Sequence, residues 1–326
     1  MRITDLIVRR VRIRLKKEIR HASHARTETA SLVVECRLDN GQAGWGEGLP
    51  REYVTGETID DAWELIARAE LPRQLSGPFD TLAEAIALLD RFRMPPRPGD
   101  DRRIFGNSAR CAIELAVLDA CCRSLGVPMS EVTAAVPETI AVRERSERVR
   151  YSAAFTAMTP WKQMVRALLL KLFGFHQAKV KVGMPDVEDA ATLRRIRNIV
   201  GKAMDLRIDA NEAWTCENLA AKVSPLMPFG ITSVEQPVPH AAVAGLAKVR
   251  PSLGVPIMLD ESLCGEVDAR RAIEQGTCDL FNLRLSKCGG YLPSLRLAAL
   301  AHQAGLRYQL GCQVGETGRA SCRERV

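Results

Sequence analysis

Residues 178–183 read Ala-Lys-Val-Lys-Val-Gly, and residues 206–211 read Leu-Arg-Ile-Asp-Ala-Asn. Each is a short β-rich run that ends in ionisable groups, and the same form recurs along the second half of the chain. Strands are expected at residues 151–155, 178–182, 206–209, 233–235, 257–260, 280–284 and 308–311. Helical stretches such as 187–200 and 293–304 separate them, the second with a proline in its first turn, where the missing N–H costs nothing. Strand–helix alternation at a regular period implies βαβ units and a parallel sheet. Seven strands from one repeating unit favour an α/β fold of TIM type, a (β/α) barrel, over an open doubly wound sheet. Chemistry in such barrels lies at the C-terminal ends of the strands.

The ends of these strands carry a pattern of their own. Lys179 and Lys181 lie two residues apart and so share a face of their strand. The next strands end in Asp209-Ala210-Asn211, in Glu235 and in Asp260-Glu261, and the sixth leads to Lys287. The intervals Lys181–Asp209, Asp209–Glu235, Glu235–Asp260 and Asp260–Lys287 are 28, 26, 25 and 27 residues. A nearly constant interval of one βα unit delivers every group to the same rim. A single lysine at a strand end is ordinarily a solvated rim residue, and a single Asp there is ordinarily a helix cap. Five in phase need another reason. Three carboxylates converging on one point repel and raise each other's pKa, which a hard divalent cation with oxygen ligands relieves; Mg²⁺ suits such a site. A lysine beside a cation and a second lysine has its pKa lowered, as a general base near neutrality requires.

The first third of the chain has a different texture. Residues 3–15 alternate aliphatic and charged positions, residues 32–38 form a second strand, and Asp39-Asn40-Gly41 turns into a third. Helices are expected over 59–71, 82–92 and 108–125, the last apolar on nearly every side. Residues 1–125 therefore make an α+β unit, and residues 126–317 a barrel unit beyond a polar stretch near 138–150.

Composition narrows the classes of function. The 326 residues are 46% hydrophobic and 26% charged, enough for two cores. The net charge of +7 comes from scattered Lys and Arg, and aromatics are only 5%, so no basic stripe for nucleic acid is built. Ten cysteines are spread without disulfide or zinc spacing and fall in apolar runs, as reduced core thiols do. No leader peptide opens the sequence and no apolar run spans a bilayer, so a cytoplasmic protein without membrane contact is expected.

The motifs KVKVG (179–183), RIDANEAW (207–214), SVEQPV (233–238), LDES (259–262) and NLRLSKCGG (282–290) together resemble the muconate-lactonizing subgroup of the enolase superfamily, the mandelate racemase/muconate lactonizing enzyme family. GWGEGLP (44–50), YVTGET (53–58) and AIELAVLDACC (112–122) look like that family's capping domain, so the resemblance covers nearly the whole chain. It implies an isomerase, most like a dipeptide epimerase, that takes the proton next to a small-molecule carboxylate and passes through an enediolate. Asp209, Glu235 and Asp260 would bind Mg²⁺, with Mn²⁺ as the alternative ion. Lys181 and Lys287 would be the acid/base pair on opposite faces of the α-carbon. Lys179 would lower the pKa of Lys181 and touch the substrate carboxylate, with Asn211 and Glu261 in support. Capping loops at residues 21–26 and 51–56 would read the substrate, through Arg26, Tyr53 and Thr55. His21 and His24 in the first loop are expected to be exposed rather than metal ligands, and Gly44, Gly46 and Gly48 do not make a nucleotide loop.

The resemblance fades at the C-terminus. After YQLGCQVGET (308–317) the family continues through a further helix and an eighth strand, so the barrel is expected to be truncated, (β/α)7β-like. Residues 318–326, GRASCRERV, resemble translated sequencing-adapter DNA and are expected to be a non-native tail. The leading function is racemisation or epimerisation of a dipeptide or N-acyl amino acid, by a protein that would be a homo-oligomer when full length. Muconate-type cycloisomerisation and o-succinylbenzoate synthesis use the same groups and stay open. A catalytically silent binding protein, or an inactive fragment, is the alternative of another class.

Overall fold

Leu32, Val34, Cys36 and Leu38 alternate along one strand and are all buried, so the period-two pattern of the sequence becomes the inner face of a sheet. The computed structural model describes residues 1–20, 25–144, 148–156 and 158–313, with backbone alone for 16–20, 25 and 26. His21 and His24, and the residues from 314 onward, lie outside the described residues, and so does the side chain of Arg26. The first sheet has the antiparallel order β1 (Ile3–Arg20), β2 (Ala25–Leu38), β3 (Ala43–Gly48). Helices α1 (Ile59–Arg68) and α2 (Leu82–Arg91) each open on a capping box, Thr58 with Asp61 and Thr81 with Glu84.

Helix α3 (Asn107–Leu125) lies on this sheet and is buried on most sides, as its all-round apolar sequence requires. Strand β3 runs directly along it. A Cβ at Gly44, Gly46 or Gly48 would collide with the α3 backbone at Ala120, Ala112 or Ser108 respectively. The three glycines are therefore a close-approach stripe between strand and helix. This unit has its own apolar core, which takes in Leu292 from the second half of the chain, with Tyr291 and Leu295 packed against it.

A second core fills the other half. Its sheet is wholly parallel, in the order β10 (Arg307–Leu310), β9 (Leu280–Leu283), β8 (Ile257–Leu259), β7 (Ile231–Glu235), β6 (Asp205–Asp209), β5 (Gln177–Lys181), β4 (Ser152–Phe155). All seven strands lie where the repeat puts them. The expected barrel takes the form of a half-barrel sheet among the described residues, with β4 and β10 at its two edges. Helices α4 (Pro160–Leu172), α5 (Asp189–Val200), α6 (Glu266–Gln275) and α7 (Tyr291–Gln303) and shorter turns connect the strands. The nine cysteines described are all free and seven are buried. No described helix is long and apolar enough to cross a membrane.

Candidate active site

Strand register assembles the site. Lys181 pairs with Asp209, and Asp209 pairs with Glu235, so three neighbouring strands present these groups in one row. Glu235 in turn pairs with Met258, which leaves Asp260 just beyond the end of β8. The backbone N–H of Asp260 has left the ladder and donates to Gln236 Oε1 at 2.9 Å. Gln236 also accepts from the Ser262 N–H and donates to Val238 O and Ser262 Oγ. One buried amide thus ties the turns after β7 and β8 together. Backbone torsions are unusual here: Asn211, Glu212 and Gln236 have φ of 44, 68 and 36°. Residues other than glycine rarely adopt such values, and clusters of them mark functional turns.

Asp209, Glu235 and Asp260 have no solvent exposure, and Glu261 has 6%. Each of the first three leans on protein cations. Lys179 Nζ bridges Asp209 Oδ2 and Glu235 Oε1, 2.8 Å from each. Lys181 Nζ donates to Asp209 Oδ2 at 2.7 Å and to Asn211 Oδ1. Lys287 Nζ lies 2.9 Å from Asp260 Oδ1 and also donates to the Asp260 carbonyl. Arg284 contacts the other Asp260 oxygen. Burial pushes against the charged form of Asp209, but Lys179 and Lys181 outweigh it and hold this carboxyl well below the usual range. Burial likewise works against the Lys179 ammonium, yet Asp209 and Glu235 hold its pKa above the ordinary lysine value. Lys287 moves the other way: burial pulls its ammonium below the ordinary value.

Among the described residues, no three His, Cys, Asp or Glu side chains stand close enough together to hold a metal ion as they are. The expected triad exists as three buried carboxylates engaged by lysines and an arginine, rather than as a ready-made cage. Its chemistry nonetheless fits a hard cation. The donors are oxygens, they sit on adjacent strands, and the buried atoms Glu235 Oε2 and Glu261 Oε2 have no hydrogen-bond partner. Glu261 is pushed up to about 7, first by burial and then by the charges of Asp209 and Glu235. Those two unpartnered oxygens and the raised Glu261 carboxyl are what a divalent ion beside them would relieve.

Residues 163–323 match the family model described as Enolase C-terminal domain-like. The chain is 28% identical over 319 residues to a hydrophobic dipeptide epimerase of Enterococcus faecalis, covering 97% of this chain and 84% of that protein. It is 29% identical over 314 residues to a D-Ala-D/L-Ala epimerase of Cytophaga hutchinsonii, covering 95% and 79%. The solved structure of the Enterococcus faecalis dipeptide epimerase, complexed with Mg and the dipeptide L-Leu-L-Tyr, superposes with a TM-score of 0.82 at 28% identity, over 97% of this chain and 84% of that one. Residues 163–323 thus carry an enolase-type C-terminal domain, and the chain as a whole is similar to dipeptide epimerases.

The side chains expected to read substrate are placed as follows. Tyr53 and Thr55 line a cleft of about 430 Å³ with Arg97, Arg102 and Phe105, in which the Arg97 guanidinium stacks on the Phe105 ring. Thr55 is buried, at 3% exposure. Arg102 links the cleft to the strand ends, donating to the Glu261 carbonyl at 3.0 Å and to both oxygens of Asp268. Sequence reasoning missed Asn282 and Arg284, whose side chains reach Glu235 and Asp260. The signal was available: two polar residues two apart in an otherwise apolar strand share a face with the rim. Arg102 and Asn107 were not legible, since their partners lie more than 150 residues away.

Proposed function

We propose that the protein inverts the carbon next to a substrate carboxylate by removing its proton on one face and returning it on the other. One observation carries this reading. Lys181 ends β5 and Lys287 follows β9, while β6, β7 and β8, which supply Asp209, Glu235 and Asp260, lie between them in the sheet. Two amines thus flank one row of acids, the arrangement a two-base proton transfer needs.

Asp209, Glu235 and Asp260 would hold Mg²⁺, with Asn211 and Glu261 supporting them. Bound there, the ion supplies positive charge to the substrate carboxylate as negative charge develops on it. Lys287, whose buried ammonium gives up its proton more readily than an exposed lysine, accepts or returns the proton on its side. Lys181 does the same on the other. Lys179 remains an ammonium between two carboxylates and acts as fixed charge for the substrate carboxylate, not as a base.

The substrate class is a dipeptide or an N-acyl amino acid. Similarity to dipeptide epimerases of Enterococcus faecalis and Cytophaga hutchinsonii supports it. Residues 1–125 would form the capping domain, with Tyr53 and Thr55 facing the substrate side chain, and residues 126–317 would carry the chemistry. The test is incorporation of deuterium from D₂O at the α-carbon, followed by NMR over a panel of dipeptides and N-acyl amino acids with and without Mg²⁺. Exchange that depends on Mg²⁺ is expected. Turnover of a muconate-type diacid with no exchange in any dipeptide or N-acyl amino acid contradicts the substrate class.

A further inference from the structure

We propose that Asn107, a residue of the first unit, is a positioning residue for Lys287; the inference rests on the two-base reading above. Asn107 is the first residue of α3. Its side-chain Nδ2 donates to the Lys287 carbonyl at 2.7 Å and to the Cys264 carbonyl at 2.8 Å. An amide NH₂ has two hydrogens and both are used. Carbonyl oxygens only accept, so the chemistry of the two partners fixes which end of the amide faces them.

The bond to Lys287 is the first of a series along one face of α3. Arg110 Nη1 donates to the Gly289 carbonyl at 2.6 Å, and Glu114 Oε1 accepts from the Leu292 N–H at 2.9 Å. Positions 107, 110 and 114 share one side of a helix. The approach is so close that a Cβ on Gly289 would stand 2.9 Å from Asn107 Oδ1, and one on Gly290 would overlap the Glu114 carboxylate. This accounts for the paired glycines that follow Lys287.

At its other end Lys287 is equally fixed. The side chain is fully buried and its amine donates to Asp260. Asn107 therefore holds the backbone of Lys287 while Asp260 holds the amine. Through the Cys264 carbonyl, the same amide also holds the turn that follows Asp260. One side chain sets the spacing between the loop that carries a carboxylate and the loop that carries a base. Misplacing a reacting group by about 1 Å can cost about 100-fold in rate.

The consequence is stereochemically one-sided, which a general loss of stability would not be. In Asn107→Asp both donors are lost, while a carboxylate in the first turn of α3 favours the helix dipole and spares the helix. Asn107→Ala removes the donors without adding charge. The two epimers of one substrate are assayed separately for α-proton exchange in D₂O, and Lys287→Ala identifies the epimer served by Lys287. In both Asn107 variants that epimer is expected to lose exchange by about 100-fold more than the other. Equal losses for both epimers, or no loss, overturn the proposal. Crystal structures of the wild type and Asn107→Asp give a readout independent of turnover. A shift of Lys287 Nζ away from Asp260 supports the positioning role, and an unmoved amine overturns it. If the wild type exchanges neither epimer of any substrate, the two-base reading falls, and the position of Lys287 in the variant still decides the role of Asn107.

Discussion

Lys287 Nζ lies 2.9 Å from Asp260 Oδ1, and neither side chain is exposed to solvent. A buried ammonium against a buried carboxylate is stable only as a pair, and removing one partner strands the other. The same holds along the row, where Lys179 and Lys181 share Asp209. The strand ends therefore concentrate charge that the fold tolerates because each group has a partner.

An ion held by those carboxylates gives a measurable stabilisation. Mg²⁺ at about 100 times its dissociation constant is expected to add about 2.7 kcal/mol to the folded state and raise Tm. Asp209→Asn, Glu235→Gln and Asp260→Asn should each abolish the Mg²⁺-dependent rise, whatever they do to Tm without the ion. Differential scanning calorimetry in Mg²⁺ and in EDTA reads this directly. A rise that persists in all three variants would mean the ion binds elsewhere.

Glu57 predicts a pH dependence. It is fully buried, and burial pushes it up to about 7, with hydrogen bonds from Ser108 opposing the rise. The folded chain thus holds a proton that the unfolded chain releases near 4.5. Ionised Glu57 destabilises the fold by about 3 kcal/mol at pH 8, and the cost fades as pH falls from 7 towards 4.5. Glu57→Gln should therefore be more stable than wild type at pH 8, with the advantage shrinking by pH 5. An advantage independent of pH would place the ionisation elsewhere.

Gly46 tests the strand–helix stripe. A methyl group there would collide with the Ala112 carbonyl of α3, and backbone cannot move aside as a side chain can. Gly46→Ala should cost about 3 kcal/mol in urea unfolding, at the upper end of overpacking penalties. A cost near zero would show that β3 and α3 stand further apart than described.

The seven parallel strands could be read from the chain because each apolar run is short, bounded and repeated at one interval. Their ends were nearly as legible. The departure at Asp260 has a physical cause, since its N–H bonds to Gln236 instead of continuing the ladder. Strand β1 runs on past residue 15 to Arg20, where the sequence loses its apolar alternation and gives no signal. Pairing within the rim was not legible. The charges of Lys179, Asp209 and Glu235 are plain in the sequence, but which amine meets which oxygen depends on strand register. The contacts of Asn107 and Arg102 depend on how two separately built cores meet, and no local pattern encodes that.

The most direct measurement of the central claim follows the α-proton of each epimer of one substrate in D₂O, by NMR, with Lys181→Ala and Lys287→Ala compared against the wild type. Each variant should lose epimerisation by at least about 100-fold, the usual contribution of a general base, and each should silence exchange from a different epimer while the other still exchanges. If either variant exchanges both epimers at the wild-type rate, or both variants silence the same one, the two lysines do not work opposite faces of the carbon.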